Sequence, residues 1–331
     1  MEATRIDDAE QPSVALLLMA FNQQATVGAA VQAALAQDHS PLTLVLSDDA
    51  STDATFDVMQ RAVAGYGGHH RVVLNRNPHN LGIGAHLSRL VGLCDADLLL
   101  VAAGDDISLP QRARRTVEAW LAADRRIDLV AAPLEDIDAE GRSNGVIRPS
   151  DLGRYRNLDD WLADPPHVVG AAQAWTRRLW DRFGPLPAGV VAEDRVMVMR
   201  AIGSGGAITL SEPLVRYRRG GISRRVRNLY AHDVIARLLK NNRHALVELP
   251  LMLRDAQTIG QCGEVERALG IELTRESFVH DLFTAPRWFE KLRIAYAARG
   301  IPLQQRLRLV LYAVCPSVFA PWFWLKRRTA R

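Results

Sequence analysis

Short, uninterrupted apolar runs alternate with helix-like stretches over roughly the first 130 residues, and this alternation constrains the fold more than any other feature of the chain. A short apolar run between polar residues is typical of a strand buried on both faces of a parallel sheet. Such runs predict strands at residues 14–19, 42–46, 71–74, 98–102 and 127–131. Helical spacing predicts helices at residues 27–37, from 52 or 53 to 64, 85–94 and 110–121.

Strands that alternate with helices favour an α/β fold of the Rossmann-like type, in which a mostly parallel sheet is flanked by helices. After about Val215 the strand-like runs end and helical patterns dominate to the C-terminus. We therefore expect a flexible polar tail at residues 1–12, an α/β domain at 13–223 and a helical C-terminal region at 224–331.

Composition excludes several classes of protein. The net charge of +4 is too small for the whole chain to read as a nucleic-acid binder. The three cysteines, Cys94, Cys262 and Cys315, lie far apart without a metal-ligand spacing, which fits a reducing compartment. The N-terminus lacks a basic segment followed by an apolar one, so no signal peptide is expected and the location is predicted to be cytoplasmic.

Two aspartate pairs follow predicted strands. Asp48–Asp49 and Asp105–Asp106 each come directly after a buried run, and ligands of open α/β sheets bind beyond the carboxyl ends of the strands. Two such pairs in one crevice suit Mg²⁺ or Mn²⁺, which take carboxylate oxygens and share substrate phosphates. The alternative is that each pair caps the next helix and stays in water. The Asp95–Asp97 motif precedes its strand, so we expect it at the opposite edge, in a solvated turn.

The segment Ser47–Asp53 reads S-D-D-A-S-T-D and resembles the D-D-x-S-x-D signature of family 2 glycosyltransferases, which have the GT-A fold. The companion motifs of that family occur in the same order, and the resemblance spans residues 13 to 223. These companions are Ala20-Phe21-Asn22, Asn80-Leu81-Gly82, Gly104-Asp105-Asp106 and Ala192-Glu193-Asp194.

The resemblance implies a nucleotide-diphospho-sugar donor and a role for each residue that matches a motif. Asp49 would accept a hydrogen bond from the base of the donor, while Phe21 and Asn22 would line the nucleotide pocket. Ser51 of the same signature is also assigned to substrate binding.

The resemblance also implies a divalent metal and a catalytic base. Asp105 would lie near ribose or metal, and Asp106 would ligate the ion that bridges the two phosphates. Asp194 would deprotonate the acceptor hydroxyl, supported by Glu193. Without the resemblance, acidic residues in the first turn of a helix are explained by the helix dipole alone.

The chain departs from the family pattern at two places. Many members carry an aspartate where this chain has Ala103, and an Ala-Arg-Asn sequence where it has Ala85-His86-Leu87. These departures concern the metal ligands and the phosphate contacts. His86 itself is interpreted as a surface or packing residue, and Trp175 and Trp180 either stack on a sugar or pack in the core.

The densest basic cluster is residues 216–225. Guanidinium groups bind phosphate in a bidentate manner, so Arg218 is predicted to bind the substrate. In related enzymes a segment here folds over the donor phosphates. A solvated basic loop and a membrane-facing patch are the alternatives.

Residues 309–325 are uncharged and rich in aromatics, with Pro316 and Pro321 interrupting them and a basic run, 326–328, following. Such a segment is short for a membrane span but suits the interface of an anionic leaflet. We expect residues 306–331 either to lie on the inner face of the membrane or to pack on the body of the protein. A membrane location would fit a lipid-linked saccharide acceptor.

These observations favour an inverting glycosyltransferase of the hexosyltransferase type, acting in the synthesis of cell-surface polysaccharide or glycolipid. A sugar-phosphate nucleotidyltransferase is disfavoured because no Gly-rich loop follows the first strand. A non-catalytic nucleotide- or carbohydrate-binding module is the remaining alternative, although it would not need the base and metal aspartates.

Overall fold

The computed structural model describes residues 11–218, 230–260 and 263–329, with the backbone alone for 325–329. The chain forms two compact units, one of residues 1–223 with Thr258–Gly260 and one of the remaining residues. The predicted N-terminal tail up to residue 10 and the basic residues at 219 and 224–225 lie outside the described residues.

The first unit contains eleven strands and seven helices among its described residues. The strands are β1 Val14–Ala20, β2 Thr43–Asp48, β3 Arg71–Arg76, β4 Leu98–Ala103, β5 Ile107–Ser108, β6 Leu129–Ala131, β7 Leu134–Ile137, β8 Ser143–Ile147, β9 Gln173–Thr176, β10 Ala207–Thr209 and β11 Val215–Arg218. The helices are α1 Val27–Leu35, α2 Thr55–Val63, α3 Ile83–Val91, α4 Arg112–Ala122, α5 Leu158–Ala163, α6 Arg177–Phe183 and α7 Glu193–Ile202.

A seven-stranded sheet with the order β10-β6-β9-β4-β1-β2-β3 forms the centre of this unit. All neighbours are parallel except β9, which runs antiparallel to β4 and β6. β1 lies between β2 and β4, with Leu16 level with Leu44 and Leu100. This central position explains the uninterrupted apolar sequence of β1, and the predicted mostly parallel α/β fold is confirmed.

Helices cover both faces of the central sheet. Leu16 and Leu18 of β1 belong to a core with Val31 of α1 and Trp120 of α4. Leu17 is equally buried and, because side chains alternate along a strand, it faces the other side, where α3 packs on β1.

A second sheet, with the order β5-β11-β7-β8, was not predicted. β11 begins at Val215, where the sequence pattern indicates the end of the strands, and it pairs with β5 and β7. Its strands are two to five residues long, which is too short for a periodic pattern to reveal them. This sheet brings Arg218 to Asp106, and therefore matters for the site described below.

The helical C-terminal region is confirmed. Its helices are α8 Ala231–Ile259, α9 Gly263–Thr284, α10 Trp288–Ala297, α11 Leu303–Val314 and α12 Ala320–Thr329. Phe278, Leu282, Ile301 and Leu309 form a small core of the second unit. Within the described residues no single helix is both long and apolar enough to cross a membrane; α11 and the segment Pro316–Trp324 meet that criterion only together, with a bend of 108° between them.

Candidate active site

The carboxyl ends of three neighbouring strands bring both predicted aspartate pairs to one edge of the central sheet. Ala20 at the end of β1 is level with Asp48 at the end of β2, and Met19 is level with Ala103 at the end of β4. The loops that follow these strands therefore begin side by side. The Asp95–Asp97 motif lies at the opposite edge, as predicted, since both the backbone amide and the hydroxyl of Ser13 donate to Asp97 Oδ2 at 2.8 Å.

The loop after β1 is fastened to the loop after β2 by hydrogen bonds that involve most of the predicted signature. The amide of Asn22 donates to Ser51 Oγ at 2.8 Å, and the amide of Thr52 donates back to Asn22 Oδ1 at 2.9 Å. Asn22 has a positive φ of 52°, a conformation that asparagine tolerates better than most residues. Further bonds of this kind join Gln23 to Thr55, Gln24 to Asp53 and Ala54 to Gln24.

Asp48 is fully buried and bound by its own neighbours. Its carboxylate accepts the amide of Ser51 at 3.1 Å and the Ser51 hydroxyl. Arg76 on β3 lies 3.3 Å away from Asp48 Oδ2. Ser51 therefore contacts both Asp48 and Asn22, and in this structure it stabilises the loop.

Asp49 is only 3% exposed and accepts three hydrogen bonds from the segment that precedes α3. The donors are the Asn77 amide group at 2.7 Å and the backbone amides of Leu81 and Gly82, each at 2.9 Å. The carboxylate thus holds the Asn80–Gly82 motif beside the end of β2. Sequence reasoning missed this link, although the positive φ of Gly82, 74°, reflects the turn that makes it. The predicted contact of Asp49 with the donor base stays a prediction.

His86 on α3 lies directly behind Asp49. Its Nε2 is 2.7 Å from Ser47 Oγ, and its Nδ1 is 4.0 Å from Asp49 Oδ2. Burial lowers the pKa of His86, while the charges of Asp49 and Asp48 oppose that shift. His86 is therefore a buried packing residue that also makes a polar contact. Its ring supports the end of β2, next to Asp49.

Asp106 is 4% exposed and accepts the backbone amide of Arg218 through Oδ1 at 2.9 Å. Its other oxygen, Oδ2, is buried and has no hydrogen-bond partner among the described residues. Burial and the neighbouring carboxylate of Asp105 raise the pKa of Asp106 to about 7. Burial also raises the pKa of Asp105.

The chemistry of these two carboxylates fits a divalent cation. A buried carboxylate oxygen that lacks a hydrogen-bond partner and lies beside a second acid is disfavoured unless a cation or a donor contacts it directly. In the described part of the chain no three His, Cys, Asp or Glu side chains form a metal-binding group. Mg²⁺ commonly takes one or two carboxylates and completes its shell with water and substrate phosphates, so Asp105 and Asp106 suit a metal that is shared with a phosphate ligand.

Two arginines surround Asp106, and sequence reasoning missed one of them. Arg112 on α4 is fully buried and donates to Val101 O at 2.6 Å and to Ser108 Oγ at 2.9 Å. Burial lowers the pKa of Arg112 to about 10, against the attraction of Asp106. The sequence places Arg112 in the first turn of α4, after Pro110, and does not indicate that its side chain is buried.

The guanidinium of Arg218 binds backbone oxygens in this structure. Its Nη1 donates to Ala139 O at 2.7 Å and to Asp138 O at 3.1 Å, and its Nε donates to Asp105 O at 3.3 Å. Arg218 thereby ties β11 to the aspartate pair. Its predicted contact with donor phosphates stays a prediction.

The Glu193–Asp194 pair forms the first turn of α7, as the sequence indicates. Asp194 Oδ1 accepts the amide of Arg195 at 2.8 Å. Gly170 lies against the pair so closely that a Cβ added to it would overlap Glu193 Oε1 and approach Asp194 Cβ to 3.3 Å. A side chain at residue 170 would therefore move the Glu193 carboxylate and crowd Asp194.

Helix α3 connects the Asp49 region with the loop that precedes α7. The amide of Gly84 donates to Val190 O at 3.1 Å, and the Ser88 hydroxyl bonds to both the amide and the carbonyl of Leu186 at 2.9 Å. A Cβ at Gly84 would come within 2.8 Å of Pro187 O. The same helix thus contacts the surroundings of both predicted functional groups.

The two tryptophans are core residues. Trp175 is fully buried and Trp180 is 6% exposed, and their rings stack with centroids 6.3 Å apart. Of the two interpretations, core packing is therefore correct.

Comparison with known proteins decides the family. The sequence model described as glycosyl transferase family 2 matches residues 16–181, which include most of β1, both aspartate pairs and β9. The chain belongs to glycosyl transferase family 2. The match ends before the Glu193–Asp194 pair, so the assignment of those two acids depends on the motif alone.

Two curated relatives are similar to this family 2 chain. EpsE of Bacillus subtilis, whose name describes a glycosyltransferase, is 29% identical over 139 residues, covering 42% of this chain and 49% of EpsE. The succinoglycan biosynthesis protein ExoO of Rhizobium meliloti is 29% identical over 251 residues, covering 68% of this chain and 66% of ExoO. The match thus spans about half the length of EpsE and about two thirds of the length of ExoO.

Solved structures share the GT-A fold of this family 2 chain. TarS of S. aureus in complex with UDP-GlcNAc superposes with a TM-score of 0.58 and 13% identity, covering 96% of this chain and 87% of TarS. The mannosyltransferase PcManGT of Pyrobaculum calidifontis, with GDP-Man and Mn²⁺, gives a TM-score of 0.54 and 15% identity, covering 94% of this chain and 88% of PcManGT. At these identities the similarity concerns the fold.

Proposed function

We propose that this chain is a metal-dependent, inverting glycosyltransferase that moves a sugar from a nucleotide diphosphate donor to an acceptor hydroxyl. The main observation behind the proposal is that Asp106 Oδ2 is buried without a hydrogen-bond partner among the described residues. It lies beside Asp105, at the carboxyl edge of the sheet. Family membership supports it. So do two similar folds, one described with UDP-GlcNAc and one with GDP-Man and Mn²⁺.

The donor would lie against the fastened loops after β1 and β2. The exposed ring of Phe21 and the adjacent Asn22 would line the nucleotide pocket, with Asp49 recognising the base and Ser51 holding the loop. To accept a further hydrogen bond from the base, Asp49 needs a free lone pair beyond its three internal hydrogen bonds. The two oxygens of a carboxylate accept about four bonds, so one lone pair remains.

The diphosphate would be bound by Arg218 and by a divalent cation that Asp105 and Asp106 would hold. A bound Mg²⁺ or Mn²⁺ would neutralise the charge that develops on the leaving diphosphate. Arg112 and Arg218 place positive charge near Asp106, which limits the cost of keeping this carboxylate ionised. For Arg218 to reach a phosphate, its guanidinium would exchange the carbonyls of residues 138 and 139 for phosphate oxygens.

Asp194 would act as the general base that removes the proton of the acceptor hydroxyl, with Glu193 positioning it. Displacement of the diphosphate by that oxygen in a single in-line step inverts the anomeric carbon and needs no covalent nucleophile. The close approach of Gly170 to the pair supports this role, because a glycine there leaves room for the Glu193 carboxylate beside Asp194.

We further propose that the acceptor is a saccharide or lipid-linked saccharide of cell-surface polysaccharide or glycolipid synthesis. The name of the relative ExoO, a succinoglycan biosynthesis protein, supports this class. The reaction would take place in the cytoplasm, with residues 306–331 on the inner face of the membrane.

The experiment is a panel of nucleotide sugars incubated with the full-length protein and Mn²⁺, with release of nucleoside diphosphate as the readout. Asp106→Ala and Asp194→Ala should each reduce kcat by about 10²-fold or more, while the matched control Asp95→Asn, in the exposed turn at the opposite edge, should behave like wild type. Turnover that survives either alanine variant would contradict the assigned site, and a panel without any turnover would contradict the proposed activity.

A further inference from the structure

The second unit carries a large exposed apolar surface. Eleven of the fifteen large apolar side chains that are exposed in the described part of the chain lie between Trp288 and Trp324. Scattered apolar residues on a surface are ordinary, but a concentration of this kind marks a site of interaction with a protein or a membrane.

Helix α10 has two apolar faces rather than one. Ile294 and Ala295 pack against the core of the second unit. Trp288, Leu292 and Tyr296 are spaced four residues apart, which places them on one side of the helix. They are 63%, 45% and 88% exposed, so this second face is uncovered.

Helix α11 repeats the arrangement. Leu309 is buried in the same core, whereas Leu303, Leu307 and Leu311 form an outward row with exposures of 61%, 56% and 40%. After the break at residue 315, the outward apolar series continues with Val318, Trp322 and Trp324. The 108° bend between α11 and the segment Pro316–Trp324 argues against a straight span and fits two short helices that lie along a surface.

The positive charge of this region favours an anionic partner. Residues 285–331 contain ten lysines and arginines but one acidic residue, Glu290, although the whole chain has a net charge of only +4. Arg293, Arg299 and Arg308 are among the exposed members. An apolar face flanked by basic residues suits the headgroups and acyl chains of anionic lipids. A second copy of the chain would bring an equally positive surface against this one, which disfavours self-association.

We propose that α10, α11 and residues 316–324 form one lipid-binding surface, which we call the interfacial face, and that it lies on an anionic bilayer. The interfacial face begins at Trp288, eighteen residues before the segment 306–331 that the sequence indicated. It extends the membrane placement of residues 306–331 proposed above but does not rest on the transfer reaction. Vesicle binding is measured without a donor, so the lipid-binding surface and the transfer activity can each fail alone.

The test is sedimentation of the full-length protein with vesicles of phosphatidylcholine, with and without phosphatidylglycerol. The triple variant Trp288→Ser/Leu292→Ser/Tyr296→Ser changes only exposed positions of α10 and leaves residues 306–331 intact. We expect it to weaken binding to the phosphatidylglycerol vesicles by about tenfold or more, because apolar contact and charge contribute together. Salt should weaken the binding of the wild type.

Ile271→Ser is the matched control, since Ile271 is an equally exposed apolar residue, 63%, on α9. It should bind vesicles like wild type. Tyr296→Asp, at the most exposed position, gives a second variant in case the triple variant is poorly folded by circular dichroism. Three results would overturn the proposal: vesicle binding unaffected by the α10 variants, equal binding to vesicles with and without phosphatidylglycerol, or a dimer that these substitutions dissociate while wild type does not bind vesicles.

Discussion

The carboxylate of Asp49 accepts the backbone amide of Gly82 at 2.9 Å, and through this bond the end of β2 fixes the start of α3. The same carboxylate accepts Asn77 and the amide of Leu81. All three partners are donors, so the site requires a group that only accepts hydrogen bonds.

Asp49→Asn should therefore destabilise the protein even without a ligand. The new amide group turns a donor toward other donors, and we expect a loss of about 2–4 kcal/mol in the free energy of unfolding. The donor KM should rise as the loop of residues 77–82 loosens. Denaturant unfolding measures the first effect and steady-state kinetics the second. Asp57→Asn, at an exposed position of α2, should change neither.

Asp106 should make the metal-free protein less stable as the pH rises. Its pKa is about 7 in the folded state and about 3.9 when unfolded, so between these values the folded state binds the extra proton and stability falls with pH. Asp106→Asn should accordingly stabilise the metal-free protein at pH 8 by on the order of 2–4 kcal/mol, with the difference vanishing toward pH 4.

Mn²⁺ should reverse the difference in stability between wild type and Asp106→Asn. Saturating metal at pH 8 should raise the Tm of wild type, because a ligand that binds only the folded state stabilises it, and should leave Asp106→Asn unchanged. Differential scanning fluorimetry measures both. An equal shift in the two proteins would refute the assignment of Asp106 as a ligand, and Asp95→Asn serves as the control that keeps the full metal response.

His86 should have the opposite pH dependence. Its pKa is lowered in the folded state, so below the unfolded value of about 6.5 the unfolded chain binds the extra proton and stability falls as the pH falls. The loss approaches about 1.4 kcal/mol per pH unit at most. His86→Gln retains a polar partner for Ser47 and should show a flatter profile between pH 6.5 and 5. His79→Gln, at an exposed position, should retain the wild-type slope.

Gly170→Ala should impair catalysis more than folding. The added methyl group overlaps Glu193 Oε1 and crowds Asp194 Cβ, so the Glu193 carboxylate has to move. We expect kcat to fall about 10-fold to 100-fold, with the donor KM changed little because the donor contacts lie elsewhere. Gly67→Ala, where a Cβ meets nothing within 4 Å, is the matched control. A kcat equal to wild type would contradict the proposed positioning role of Glu193.

The central sheet was predictable because its strands are buried on both faces. The runs that include Leu16, Leu44 and Leu100 have no polar interruption, and their observed bounds lie within two residues of the predicted ones. The position of the aspartate pairs followed from strand direction alone. The family 2 motifs then indicated which polar residues are candidates for the site.

The second sheet and the bonds around the site were not predictable in the same way. Strands β5 and β11 pair across more than a hundred residues of sequence, and their two to four residues leave no periodic signal. Arg112 looks like one of several arginines on α4 until the fold buries it. Ser51 was assigned to substrate binding, whereas in the structure its hydroxyl joins one loop to another, as does the carboxylate of Asp53 in the same signature.

The hydrogen bonds that join the loops after β1 and β2 do not involve the side chain of Phe21. Phe21 contributes its backbone amide to Gln23 Oε1, but its ring takes no part in those bonds and is 45% exposed. Substitutions at Phe21 would thus vary the proposed wall of the nucleotide pocket without removing the hydrogen bonds between the two loops. If Phe21 contacts the donor as proposed, selectivity for the donor base can be altered at this position at little cost to folding.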